Sequence, residues 1–389
     1  MTRHCSENFL GSAVSPVSPR LTLLLGLCDN VRHDDPQRIP VPDFFMATSI
    51  IGTGNDIRLI RLIRLILLFF FAAAAQPLIA QALQPLPPVE LTGTHGKFDF
   101  IKVDAARRRL LACHTGNGTL DVIDLDSSRL LKSVPTGAAQ GVAVDDKHGR
   151  YFVSVSKPPQ LVIIDAAKLE VTDTVPLPGP ADLVGYLPEM NRVFVDDGAK
   201  PEMWIIDPES KQIMQTNTFP GTGMEDFCFD KWGTLIFQNL KDTNQVAKSD
   251  FIEQKIPAVL STLPAEKPHG LALVNNGDAV AVAGGNGKLV VMSMKEGTEG
   301  KVLASANIAP RVDEIAYDPD RRLIYAASGT GVISIVVLNG IVQSVGSVST
   351  APGAHSIAVD PKTHAVWIVF VKGGKACVQR FDPAPFSTG

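Results

Sequence analysis

Short runs in which apolar and polar residues alternate fill the chain from about residue 100 onward, and they recur in one arrangement. The stretch "DEIAYDPDRRLIYAAS", beginning at Asp313, shows it: an apolar alternation enters a polar turn at Asp318, and a second alternation leaves it. The same shape stands at "VDAARRRLLAC" (from 103), "VDDKHGRYFVSV" (144), "YLPEMNRVFV" (186), "FDKWGTLIF" (229), "LVNNGDAVAV" (273) and "VDPKTHAVWIV" (359). Period-two alternation on both sides of a short turn predicts a β-hairpin. Marking the residue after the entering apolar one gives Asp104, Asp145, Leu187, Asp230, Val274, Asp318 and Asp360, spaced by 41 to 44 residues.

A repeat of that length holds four short strands. A third strand recurs as "LDVIDLD" (120), "LVIIDAA" (161), "MWIIDPE" (203) and "CVQRFDP" (377), and a fourth as "LLKSVPTG" (130) and "VTDTVPLPG" (171). The Asp residues ending the third strands, Asp124, Asp165, Asp207 and Asp382, suit turn hydrogen bonds. Seven units predict an all-β, seven-bladed β-propeller of four-stranded blades, which hides its sheet edges by radial repetition. Closure supports the count. The last unit stops after its third strand, and "PLPPVELTG" (85) precedes the first, so the N-terminal strand is expected to complete the last blade. Residues 83–389 then form a single propeller domain.

The region before residue 83 differs in kind. Arg58, Arg61 and Arg64 precede an apolar run, Leu65 to Ala75, and Ala80-Gln81-Ala82 follows. Basic, apolar and small-x-small segments in that order define a secretory signal peptide. The run is shorter than the ~20 residues a membrane span needs, so membrane attachment is expected only through an uncleaved signal. Met46 fits as the start, which makes 1–45 a mis-assigned extension and 46–82 the signal peptide. The expected location is periplasmic or extracellular. Cleavage after Ala82 leaves Cys113, Cys228 and Cys377. Three cysteines allow at most one disulfide and are no disulfide framework.

Charge narrows the partners. The chain carries 36 Lys and Arg against 40 Asp and Glu, without the basic excess of a phosphate-backbone binder. Aromatics are only 6%, which offers few platforms for stacking bases. Nucleic acid is therefore not an expected partner; a small molecule or an envelope protein is, with the chain a monomer.

Candidate chemistry lies five residues before each mark, at Asp99, Gln140, Asp182, Glu225, His269, Asp313 and His355. In a propeller these residues enter the innermost strands and border the central channel. Three residues before each mark stand Ile101, Val142, Val184, Phe227, Leu271, Ile315 and Ile357, all apolar. Two before it Ala and Gly dominate, with Lys102 and Cys228 the departures, and Asp226 and Glu314 directly follow ring members. Carboxylates and imidazoles converging on one cavity could ligate a divalent metal ion, with His269, His355, Glu225 and Asp313 as the candidate set. Crowded carboxylates also raise one another's pKa. A hydrated channel mouth without a ligand accounts for polar residues there equally. Second strands should return to the same face, placing His114, Lys157, Asp197, Asn239, Asn286, Thr330 and Lys372 at its rim. "GGNGK" at 284 lacks P-loop spacing, and no Gly-x-Ser-x-Gly elbow or Cys-x-x-Cys pair occurs.

The "AVD" and "GR" hairpin of the second unit, its "VIID" strand and the "TVPLPG" ending resemble the YVTN-type repeat of secreted seven-bladed, YncE-like propellers, over residues 87–385. The resemblance implies the fold and export. It also brings single-stranded DNA binding into view, which the acidic charge and scattered Trp204, Trp232 and Trp367 rank last. "KPHGLAL" (267) and "GAHSIAV" (353) are similar to blade starts of propeller lactonases and streptogramin lyases. Haem-d1-type binding would need a top-face histidine such as His269 or His355, with nothing else specifying haem. The main expectation is an exported binding or scaffold protein with a polar channel site; the alternative is a metal-assisted hydrolase or lyase.

Overall fold

The computed structural model describes residues 83–384; the expected extension, signal peptide and cleavage site lie outside the described residues. Seven antiparallel sheets follow one another around the ring; in six the strand order is the chain order, and in the seventh N-terminal strands complete the outer edge. Their first strands are Ile101–Asp104, Ala139–Asp145, Ala181–Leu187, Met224–Phe229, Pro268–Val274, Val312–Asp318 and Ser356–Val359. Each first strand packs on the first strand of the next blade, and the seventh returns to the first. The fold is thus the seven-bladed propeller that the repeat predicts.

Closure is made by the N-terminus in two pieces. Leu83–Pro85 pairs with Phe381–Pro383, and Val89–Glu90 pairs with Cys377–Val378. Three prolines, Pro85, Pro87 and Pro88, lack the N–H that an unbroken strand would donate. Hydrogen bonds from the Leu86 N–H to the Arg380 carbonyl (2.9 Å) and from Gln379 to the Leu86 carbonyl (2.9 Å) carry the interruption. Leu83 is fully buried in the last blade's core.

The core lies between blades. Leu111, Val122, Val142, Tyr151 and Val153 join blades one and two, and Ile101, Leu110, Trp367 and Val369 join seven and one. Each such side chain contributes about 1.5–3 kcal/mol of transfer free energy, so the ring is held by interfaces that no blade can form alone. Cys113, Cys228 and Cys377 are unpaired.

The register-mark aspartates sit at the face opposite the predicted ring and are buried: Asp104, Asp145, Asp230, Asp318 and Asp360. Each accepts an N–H of its own turn, as Asp104 does from Arg107 (3.0 Å) and Asp360 from Lys362 (3.0 Å). Several also bridge blades. Tyr151 Oη donates to Asp104 (2.6 Å), His364 lies 2.9 Å from Asp318, and Arg108 of blade one donates to Asp360 of blade seven at 2.6 Å.

Removing that last bridge, which spans the closure, leaves a buried carboxylate short of one charged donor. Arg108→Ala should therefore lower unfolding stability by about 1–3 kcal/mol, read from urea midpoints. Burial alone would raise Asp360, but bonds from Thr363, Arg108 and the Lys362 N–H outweigh it and hold the carboxyl below its ordinary range. A depressed folded-state pKa stabilises above the unfolded value, about 3.9, and that contribution is lost as pH falls through the folded value. The Arg108→Ala deficit should accordingly shrink at acidic pH.

Candidate functional site

Each first strand is the inner edge of its blade, so its backbone groups toward the axis have no partner within their own sheet. Neighbouring blades supply them. Ser154 Oγ donates to the Asp182 carbonyl, Asn239 Nδ2 to the His269 carbonyl (2.7 Å), Ser356 Oγ to the Asp99 carbonyl and the Phe100 N–H to the Gln140 carbonyl (3.1 Å). Gln238 Nε2, from the same blade, donates to the Glu225 carbonyl at 2.6 Å. The Glu314 N–H likewise donates to the His355 carbonyl (3.4 Å), so the backbone of the predicted ring is pinned at six of its seven positions.

In blades four and six the residue after the ring member reaches the next blade. Asp226 accepts the Leu271 N–H (3.0 Å) and Glu314 accepts the Ile357 N–H (3.1 Å). At the equivalent Gly141 and Gly270, an added Cβ would stand 2.9 Å from the Val184 and Ile315 nitrogens. Asp226 and Glu314 are thus bridges between blades. Burial raises both, Asp226 to about 7.

Blades four to seven bring their ring side chains together. Ligand atoms of Glu225, His269 and Asp313 all lie within 4.8 Å of one another. His269 Nε2 is 3.9 Å from Glu225 Oε1, and His355 Nδ1 is 2.8 Å from Asp313 Oδ2. Lys241 ion-pairs with Glu225, while His269 Nδ1 lies 2.7 Å from the Lys267 carbonyl, leaving Nε2 toward the cluster. A cavity of about 180 Å³ opens beside it, with Asp182, Glu225, Lys241 and Met224 in its wall.

Asp99 and Asp182 extend the acidic field. Burial, then the neighbouring Asp182, pushes Asp99 up to about 7, opposed by Lys97 and His355. Burial, then Glu225 and Asp313, pushes Asp182 up to about 6. Glu225 is raised by burial against the pull of Lys241. Asp313 is the exception: burial is outweighed by the His355 bond and its carboxyl is lowered, while the same bond raises His355. Gln140 takes no part, since its amide donates to the Ala138 (3.1 Å) and Ala139 (3.2 Å) carbonyls.

The rim residues divide. His114 is fully buried, its Nδ1 2.7 Å from Asp121 and Nε2 3.0 Å from the Gly96 carbonyl, with Phe98 stacked on it at 3.9 Å. It is a packed core histidine with both nitrogens engaged. Asn239 is buried as the clamp on His269, and buried Asp197 accepts the Ala199 N–H (2.8 Å). Asn286 is tied to the Pro264 carbonyl (2.9 Å) and Thr330 to Ser328 (2.7 Å). Lys157 and Lys372 are exposed. Three participants were not singled out by repeat position. Lys97 lies in a loop, Lys241 opens the short 3-10 turn Lys241–Thr243, and buried Asp196 from blade three has its carboxyl raised by burial, with one oxygen unpartnered.

No family model and no curated protein matches the chain. Among solved structures it is similar to a chain of hydrazine synthase from Kuenenia stuttgartiensis, with TM-score 0.63 and 14% identity over 75% of this chain and 98% of that one. At that identity the likeness is one of fold.

A raised carboxyl disfavours folding once it must ionise, so its penalty is absent below the unfolded pKa and grows as pH rises through the folded value. With chelator present, Asp99→Asn should raise the melting temperature at about pH 8 and leave it unchanged at about pH 3. An equal shift at both values would place the effect in packing and not in charge.

Proposed function

We propose that this propeller is an exported binding protein whose channel mouth takes up a divalent cation on Glu225, His269 and Asp313. The observation that carries the reading is the approach of one carboxylate, one imidazole and a second carboxylate, from three consecutive blades, to within 4.8 Å of one another. The surrounding charge supports it. Asp99 and Asp182 are raised because nearby positive charge does not offset their burial and the repulsion of neighbouring carboxylates, and a cation supplies what is missing. One imidazole among carboxylates suits zinc or manganese better than calcium. His355, bonded to Asp313, orients that ligand as outer partners of metal sites do. Export rests on the basic, apolar and small-residue segments before residue 83, in keeping with the resemblance to YVTN-type secreted propellers.

A second reading, a metal-assisted hydrolase or lyase, is favoured by the same mixed donor set, because such a centre polarises a carbonyl or activates water. The cation is common to both readings, so it is tested first. Protein purified without added metal, then equilibrated with zinc, manganese or calcium and desalted, should retain about one ion per chain by mass spectrometry. His269→Ala and Glu225→Gln, with unchanged circular dichroism, should lose it. Absence of any retained ion, or full retention in both variants, would sink the proposal. Lactone turnover that follows the bound ion would favour the hydrolase.

A further inference from the structure

Beneath the ring the first strands line a cavity of about 550 Å³, within the ~300–1,000 Å³ typical of small-molecule sites. Its wall differs from the mouth in chemistry. Phe100, Leu183, Phe227, Ile315 and their neighbours line it, and its only charged side chains are Lys102 and Asp226. Ala143, Gly185, Cys228 and Ala316 share the wall with Lys102 and stand at the same repeat position, where only Lys102 is long enough to reach far into the lumen.

The two charges are not equivalent. Asp226 is engaged, its carboxylate accepting the Leu271 N–H at 3.0 Å, and burial pushes it up to about 7. Lys102 is exposed to the lumen, and among the described residues its ammonium makes no hydrogen bond or ion pair. Its charge reaches Asp226 only at a distance, lowering that carboxyl slightly against burial. An unpaired ammonium on a mainly apolar wall, whose one carboxyl is already engaged by the Leu271 N–H, is a poor filler and a good anchor, since charge-assisted bonds to a carboxylate strengthen where water is excluded.

We infer that the central channel binds an amphipathic monocarboxylate, with its aliphatic or aromatic body against Phe100, Leu183, Phe227 and Ile315 and its carboxylate on Lys102. The site is separate from the ring and needs no metal. Chain length is set by the cavity and charge by the single lysine, so neutral analogues and dicarboxylates are disfavoured.

Sodium decanoate is the probe, followed by calorimetry on the purified full chain in chelator. One saturable site per chain is expected, with affinity at least about tenfold weaker for 1-decanol and for Lys102→Met, and restored in part by Lys102→Arg. Ala316→Phe, which fills the channel from blade six and leaves Lys102 in place, should abolish binding; melting curves verify that each variant is folded. Failure of decanoate to saturate, equal binding of decanol, or wild-type affinity in folded Lys102→Met would each overturn the inference. His269→Ala, which dismantles the proposed cation site, should bind decanoate like the parent, so the two proposals fail separately.

Discussion

The arrangement depends on satisfying seven inner strand edges around one axis. In an ordinary sheet an edge can face water, but here the edges face one another across a narrow channel, where an unpaired amide costs about 1–3 kcal/mol. The chain meets this constraint with side chains lent by adjacent blades. Ser154, Asn239 and Ser356 hold carbonyls of the next blade, while Asp226 and Glu314 receive its N–H groups. The ring side chains are consequently carried by backbone whose position is fixed on both sides, as a site needing tolerances of about half an ångström requires.

The same constraint sets the charge at the mouth. Bridging acids must be buried, and they lie next to the ring acids, whose charge raises the cost of ionising them further. Glu314 is raised first by burial and then by Asp313, and Asp196 first by burial and then by Asp182. Two layers of carboxyls, one structural and one lining the mouth, crowd negative charge where solvent is limited. Lys241 and His355 offset part of it by pairing with Glu225 and Asp313. Asp99 and Asp182 receive no such partner among the described residues, and this local imbalance is what makes a cation the complementary ligand.

The fold was legible because the repeat is written in strand alternation and turn residues, both local properties. Strand order, the marks at the ends of first strands and closure by the N-terminus all follow from it. Ring membership was legible for the same reason, since Glu225, His269 and Asp313 share one repeat position and are brought together. Side-chain direction was not. Asn239 and His114 occupy ends of second strands, which sequence places at the rim, yet one reaches sideways to a neighbouring carbonyl and the other packs under Phe98. One step along a strand exchanges a lumen-facing side chain for one between blades, and repeat position alone does not say which residue a twisted blade turns inward. Lys97 and Lys241 escaped because they sit between strands, one in a loop and one in a 3-10 turn, where the repeat imposes no register.

Lys102 bears on how function is divided along the axis. At its repeat position the other blades carry Ala143, Gly185, Cys228, Ala272, Ala316 and Ala358, because inner strands crowd one another: a Cβ on Gly185 would meet Phe227 at 2.8 Å. A long side chain fits there only by extending into the lumen, so Lys102 spends its length where packing cannot use it. Burying an ammonium among apolar walls costs several kcal/mol unless it is hydrated or paired, and nothing in the packing of blade one asks for a charge at that point. The mouth, with excess acid, and the lumen, with a single base on an apolar wall, therefore present opposite chemistries a few residues apart on the same strands. Two ligands of opposite charge, or one molecule carrying both a coordinating group and an anionic apolar tail, would each be accommodated by that division.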